Sequence, residues 1–352
     1  MARPLRRPAE AAATIGQGEA LARASLRLAI GHDEALAGYE YRSVGYNVEL
    51  LAIVGPTAVG KTALSIELAQ RFHGEVISAD SRQVYRQMDI GTAKATPAEQ
   101  AAVPHHLIDA VDPDEELTLA HYRRLAAEAI ADIAARGRLP ILVGGTGLYV
   151  RALLEGWTVP EVPPQPELRR ELEGCAEREG HQALHRRLAQ VDPEAAARID
   201  ARNVRRVIRA LEVYHAIGEP ISALQAKSPP GYRILTIGLT MPRADLYHRI
   251  DERVDRMIAA GLVDEVRALL ARGYDLDLPA MSGLGYRQIG QFLQGEVSLE
   301  EAIALIKRHT RRLVRQQYNW FRPTDPAIHW VDLSQPFRDR VDEWVRAFVA
   351  DP

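Results

Sequence analysis

The 352-residue chain is long enough for a main domain with a second one attached. A formal net charge of −3, a pI near 6.4 and a single cysteine, Cys175, exclude a globally basic nucleic-acid binder, an internal disulfide and a Cys-rich zinc site. The longest apolar runs, such as 48–55 and 139–145, fall far short of the roughly 20 residues of a membrane span, so the expectation is a cytoplasmic protein with no membrane partner.

Residues 1–46 are rich in Ala and Arg yet carry Glu10, Glu19, Asp33 and Glu34. They lack an apolar segment with a cleavage site, so they read as an N-terminal extension of no assigned role. Residues 48–54 form an apolar run suited to a buried strand, followed by a glycine-rich turn and a helical pattern over Thr62–Phe72. A second strand is predicted at Glu75–Ser78, and a long amphipathic helix at Leu117–Arg136. A further strand at Leu139–Val143 closes in Gly144-Gly145-Thr146-Gly147, with a helix from about Leu148. This alternation predicts an α/β fold, a parallel P-loop NTPase-like sheet with helices on both faces. Ligands bind such sheets at the carboxyl ends of the strands, so three segments, Gly55–Thr62, Asp80–Gln83 and Gly144–Gly147, should meet on one rim.

Pro160, Pro163, Pro164 and Pro166 then mark a boundary. Residues 165–227 read as wholly helical, ending at Ser228-Pro229-Pro230-Gly231, and the strand pattern returns at Ile234–Leu239. The expected organisation is therefore a first core segment at 47–159, a helical insertion at 160–230, and a return of the core with C-terminal helices at 231–352. In that last part helices are expected at 243–271, 298–321 and 336–349, with a short strand near Ala327–Val331.

Gly55, Pro56, Thr57, Ala58, Val59, Gly60, Lys61 and Thr62 match G-x-x-x-x-G-K-[ST] in full. The glycines let successive N–H groups curl around phosphate oxygens, and the following helix aims its positive end at them. Lys61 adds a point charge, and the Thr62 hydroxyl suits a Mg²⁺ held by the phosphates. Taken alone, Asp80 fits a Walker-B magnesium ligand or a helix cap as well as a base, and Thr146 fits an N-cap. His105 and His106 have no third ligand near them, which favours loop or packing roles over a metal.

Two basic patches stand out against the acidic total. Arg198, Arg202, Arg205, Arg206 and Arg209 face one acid, Asp200, within 198–209. Residues 302–324 hold no acid but contain Lys307, Arg308, Arg311, Arg312, Arg315 and Arg322, with Tyr318 and Trp320 among them. Each can be a solvated helix face, or a surface that neutralises phosphates and stacks bases.

At these residues the sequence resembles the tRNA dimethylallyltransferase (tRNA isopentenyltransferase) family. The resemblance rests on the P-loop, on Asp80–Tyr85 with Asp89–Lys94, and on Gly144–Tyr149. It continues through Asp251–Met257, Gly283–Gln288, and Arg315–Gln317 with Trp320, in the family's order over roughly 48–345. It implies transfer of a dimethylallyl group from dimethylallyl diphosphate to N6 of the adenosine 3′-adjacent to the anticodon, with the tRNA anticodon stem-loop as partner and a monomeric enzyme. It implies that Asp80 accepts the N6 proton, that Thr146 hydrogen-bonds near the reacting centre, and that Arg253 steadies the departing diphosphate with the P-loop and Mg²⁺. Without it, Arg253 would read as one more solvated helix arginine.

The resemblance also implies tRNA contacts at Asp80, Ser81, Arg82, Gln83, Thr146 and Leu168, and at Arg205, Arg206, Val207, Ile208 and Arg209. Further contacts are implied at Ser282, Gly283, Leu284, Gly285, Tyr286 and Arg287, and at Arg315, Gln316, Gln317, Tyr318, Asn319, Trp320, Phe321 and Arg322. Ser81 and Gln83, beside Asp80, are placed to read the edge of a base that has left its stack. Two rivals remain: a relative that prenylates a free adenine nucleotide, which has no need of the insertion or of the basic stretch, and a small-molecule P-loop kinase, which would turn over ATP.

Overall fold

The computed structural model describes residues 48–158 and 160–350. The N-terminal extension expected at 1–46 lies outside the described residues. The chain forms two compact units, one running over Trp157–Ser228 and the other made by the segments before and after it.

In the larger unit, β1 (Val48–Val54) leads to α1 (Lys61–Arg71), β2 (Gly74–Ala79), α2 (Pro97–Ala102), the two-residue β3 (His105–His106), α3 (Leu119–Ala135), β4 (Leu139–Gly144) and α4 (Gly147–Leu154). All six strands of its sheet are parallel, in the order β3-β2-β4-β1-β5-β6, where β5 is Tyr232–Thr240 and β6 is His329–Asp332. Side chains alternate along β1 with period two. Leu50, Ala52 and Val54 join a core with Tyr122, Ala126, Ile130 and Ile133 of α3, while Leu51 and Ile53 join one with Leu64 and Leu68 of α1. Both faces are thus covered, which explains why the strand is apolar from Leu50 to Val54 instead of alternating.

The chain leaves β1 toward β2 but leaves β4 toward β5, and β1 and β4 are neighbours. The gap between their carboxyl ends is therefore the switch point at which such sheets bind ligands.

The smaller unit contains α5 (Pro166–Glu179), α6 (His181–Val191), α7 (Pro193–Arg198), α8 (Val204–Ile217) and α9 (Ile221–Leu224), around a core that includes Leu172, Cys175, Leu184, Leu188, Val207 and Leu211. Its two ends are joined by a bridge between Trp157 and Lys227 and by the Thr158 N–H on Ala226 O at 2.9 Å, so it begins a little before the proline-rich stretch.

After β5 the larger unit continues with α10 (Arg243–Ala259), α11 (Leu262–Ala271), a 3-10 turn at Ala280–Ser282, α12 (Tyr286–Leu293), α13 (Leu299–Trp320) and, beyond β6, α14 (Arg338–Ala350). The single helix expected at 243–271 is two helices. Gly261 adopts φ 99°, a left-handed conformation that ends one helix and starts the next. Edge strand β3 and helix α12 were not anticipated. His106 in β3 bonds the buried Glu75 at 2.7 Å, and Glu75 is held down to about 2 by the Arg136 guanidinium first and by His106 after it, against the cost of burial. The Nδ1 of His105 pairs with the Val103 carbonyl at 2.8 Å, so each ring is engaged with the chain at the sheet edge. Among the described residues, no helix is long and apolar enough to cross a membrane.

Candidate active site

The P-loop wraps from β1 into α1 with Gly55 at φ 139°, Ala58 at φ 65° and Gly60 at φ 118°. A side chain at Gly55 would put its Cβ 2.5 Å from the Leu239 carbonyl oxygen of β5, so the loop needs glycine there for space as well as conformation. Lys61 folds back over the loop, its Nζ donating to the Gly55 and Pro56 carbonyls at 3.0 and 2.8 Å.

This loop floors a cleft of about 410 Å³ lined by Thr57, Ala58, Gly60, Lys61 and Thr62, by Asp80, Gln83 and Gly144, and by Arg249, Arg253 and Arg256. The three arginines follow the i, i+4, i+7 rule and so share one stripe of α10. The electrostatics are unsettled in a specific way. Burial lowers Lys61 to about 8, with the Asp80 carboxylate opposing and the Arg253 charge adding to the drop. Burial also lowers Arg253, again with Asp80 opposing and Arg256 adding. Asp80 thus offsets both desolvated cations, and with Glu99 and Glu252 also on the lining the four cations of the cleft face three carboxylates.

Asp80 stands just past the end of β2. Its Oδ1 accepts the Arg82 N–H at 2.8 Å and the Gln83 N–H at 3.4 Å, which fixes the carboxylate without capping any helix. Thr146 occupies the N-cap position of α4 but makes no side-chain cap bond. Its hydroxyl instead accepts the Ser81 N–H at 3.0 Å, tying the loop after β4 to the loop after β2. The three segments expected on one rim do meet there.

Several residues expected to touch RNA are used elsewhere. Gln83 donates to the Thr92 and Ala93 carbonyls at 3.3 and 3.2 Å and accepts the Ser78 hydroxyl at 3.1 Å, so its amide is spent on the rim loop, although it lines the cleft. Arg82 is engaged with Pro279 O, Ala280 O and the Ser282 hydroxyl. Lys94 is buried and bonds Asp89, Asp109 and Tyr85 O, which makes it the pin of this loop.

Tyr286 is 1% exposed and donates to Glu265 at 2.6 Å. Val207, Ile208 and Phe321 are core residues whose side chains have no face to offer RNA. Arg209 bonds the buried Glu212 at 2.5 Å, and Leu168 packs against the helical core. In α13, Lys307 pairs with Asp255 at 2.6 Å and Arg311 pairs with Asp251, both of α10. What stays exposed is Arg205 and Arg206 in the helical unit, with Arg198 and Arg202 exposed but paired to Glu194 and Asp200, and Ser282, Arg287, Arg308, Arg312, Arg315, Gln316, Asn319 and Arg322 in the larger one.

The cleft has a P-loop at its floor and a fixed carboxylate beside it. That combination defines a P-loop enzyme of the group-transfer class. A family model described as IPP transferase matches residues 83–324, and one described as isopentenyl transferase matches residues 48–111. The chain is 58% identical over 308 residues to a tRNA dimethylallyltransferase of Roseiflexus sp. (strain RS-1), covering 85% of this chain and 100% of the relative. It is similar in structure to the tRNA isopentenylpyrophosphate transferase of Bacillus halodurans, with a TM-score of 0.63, 46% identity, and coverage of 86% of this chain and 96% of that one. It is similar also to a eukaryotic dimethylallyltransferase captured acting on tRNA, with a TM-score of 0.71, 28% identity, and coverage of 86% and 80%. The chain belongs to the IPP transferase family.

Proposed function

We propose that this chain transfers a dimethylallyl group from dimethylallyl diphosphate to N6 of the adenosine on the 3′ side of the tRNA anticodon, releasing diphosphate. The observation that carries the reading is the pairing of one fixed carboxylate, Asp80, with two desolvated cations, Lys61 and Arg253, over a P-loop. In this reading the C1–O bond of the donor breaks and its electrons pass to the diphosphate, whose growing charge Lys61, Arg253 and the N–H groups of Gly60, Lys61 and Thr62 at the start of α1 stabilise. N6 bonds to C1, and its proton passes to Asp80, which the Arg82 N–H holds in place. N6 is a poor nucleophile because its lone pair is conjugated with the ring, so a base at that point matters. Thr146 keeps the Ser81 backbone beside Asp80.

The residues fit Mg²⁺ only in company with the donor. Among the described residues no group of three His, Cys, Asp or Glu could hold an ion unaided, whereas the Thr62 hydroxyl lines the cleft where phosphate oxygens would complete the shell. When bound, Mg²⁺ supplies further charge neutralisation for the diphosphate. The exposed Arg205, Arg206, Arg315 and Arg322 are the cations for the RNA backbone. The enzyme would work in the cytoplasm, where tRNA is found.

The test is incubation with radiolabelled dimethylallyl diphosphate and unmodified tRNA whose anticodon loop is rich in adenosines. Label appearing in the RNA supports the proposal. Label that stays out of RNA, or that moves equally well to free AMP, sinks it, and ATP hydrolysis would point to the kinase reading.

A further inference from the structure

Helix α13 reaches the cleft by its last turn, and that turn does two jobs at once. Gln316 and Asn319 lie on its exposed side with Arg315, whereas Gln317 is turned inward and is 6% exposed. Its Oε1 accepts the Thr57 N–H of the P-loop at 2.8 Å, and its Nε2 donates to the Gly145 carbonyl of the loop after β4 at 3.1 Å. One side-chain amide thereby joins the phosphate cradle to the loop that carries Thr146.

The glycines of that loop are explained by the same contact. A Cβ at Gly145 would stand 2.3 Å from Gln317 Nε2, and one at Gly147 would stand 2.1 Å from Trp320 Cγ. Thr146 is therefore held between two seats made by successive turns of α13. The helix itself is anchored at its start by a Ser298–Glu301 capping box, and along its length by Arg311 on Asp251 and Lys307 on Asp255. Asp251 and Asp255 flank Arg253 in α10 but face the other way from it, so α13 also braces the helix that supplies the cleft arginine.

We infer that Gln317 is a positioning residue, which sets the diphosphate cradle and the Thr146 loop in one register from the same helical turn that receives RNA on its outer side. The inference rests on the proposed prenyl transfer. It places no new group on the substrate, and it requires that loss of the amide misalign donor and acceptor without abolishing the binding of either. A misplacement of this kind costs on the order of 100-fold in turnover.

Gln317→Leu keeps the size of the side chain and removes both hydrogen bonds. The expected result is a kcat about 100-fold lower, with the KM for tRNA and the Kd for pyrophosphate close to those of the unaltered chain and a melting temperature lower by only a few degrees, as two groups lose their partner. Gln317→Glu gives a sharper readout. As a carboxylate it accepts the Thr57 N–H but repels the Gly145 carbonyl; protonated, it restores both bonds. Its kcat relative to the unaltered chain should therefore climb as pH is lowered, while that of Gln317→Leu stays flat. A Gln317→Leu enzyme with unchanged kcat, or one whose kcat falls only together with affinity and melting temperature, overturns the inference. If the unaltered chain transfers no label to RNA, the proposed function fails instead, and the two outcomes are separate.

Discussion

The cleft and the core of the helical unit both bury charge, and they treat it differently. In the helical unit Glu212 is fully buried. Burial pushes its carboxyl up, but hydrogen bonds from Arg169, the Gln165 N–H and Arg209 bring it below its ordinary value. The ion pair is complete within the unit, and nothing is left for a ligand. In the cleft, Lys61 is pulled down to about 8 because its desolvation is only partly offset by Asp80, which is shared with Arg253. A charge cluster closed on itself is a structural element, whereas desolvated cations that share one carboxylate mark a candidate anion site.

That contrast can be broken most directly at Asp80. Asp80→Asn should lower kcat by about 10³-fold while the Kd for tRNA, measured by filter binding, changes little. An equal loss of affinity would show that the carboxylate holds RNA and is not a base. Next is Lys61→Met, which should weaken pyrophosphate binding by roughly 100-fold in calorimetry, a loss comparable to that of a buried charged contact. The same variant should be more stable than its parent by about 1–3 kcal/mol, because it no longer buries a cation. With the folded value near 8 and the ordinary one at 10.5, that gain should be full below pH 8 and should fade as pH rises toward 10.5.

The same shift predicts that pyrophosphate binding by the unaltered chain takes up a proton above pH 8. Calorimetry in buffers of different ionisation enthalpy, repeated on Lys61→Met to subtract the proton that pyrophosphate itself exchanges, reads this, and equal proton exchange in the two proteins would mean that Lys61 is already fully charged.

In the helical unit, Glu212→Ala should reverse the pattern. It should cost about 2–3 kcal/mol of stability in denaturant melts, the low end for a buried pair because Arg169 and Arg209 reach solvent. Prenyl transfer at temperatures where the unit stays folded should be preserved. The smallest effect belongs to Arg315→Ala, which should weaken tRNA binding several-fold and reduce the salt slope by about one, with pyrophosphate affinity unchanged.

Local chemistry made much of the site legible. The P-loop spacing, the apolar runs before it and the small residues after β4 each depend on a few adjacent residues, and they mark strand ends whatever surrounds them. Arg253 was legible only through the family block, because the periodicity of α10 describes every arginine on it as surface. Nothing in the local pattern separated Gln317 from Gln316. Which side of a helical turn faces a core depends on partners that are 260 and 172 residues away in the case of Gln317. The break at Gly261 went unread for a related reason, since a glycine in a helical pattern is tolerated unless neighbouring packing calls for a left-handed residue.

The amino-acid sequence alone thus determined the parallel α/β class, the P-loop at Gly55–Thr62 and the resemblance that picks out Asp80, Thr146 and Arg253. Each of these follows from short-range periodicity, turn chemistry or contiguous motifs. Only the tertiary structure decided that Gln83, Arg82 and Tyr286 brace the rim, that Lys307 and Arg311 are neutralised by α10, and that the Gly144–Gly147 loop is glycine-rich because α13 packs into it. Those outcomes are set by contacts between segments far apart in the chain, where burial, close approach and charge compensation are settled by the fold as a whole.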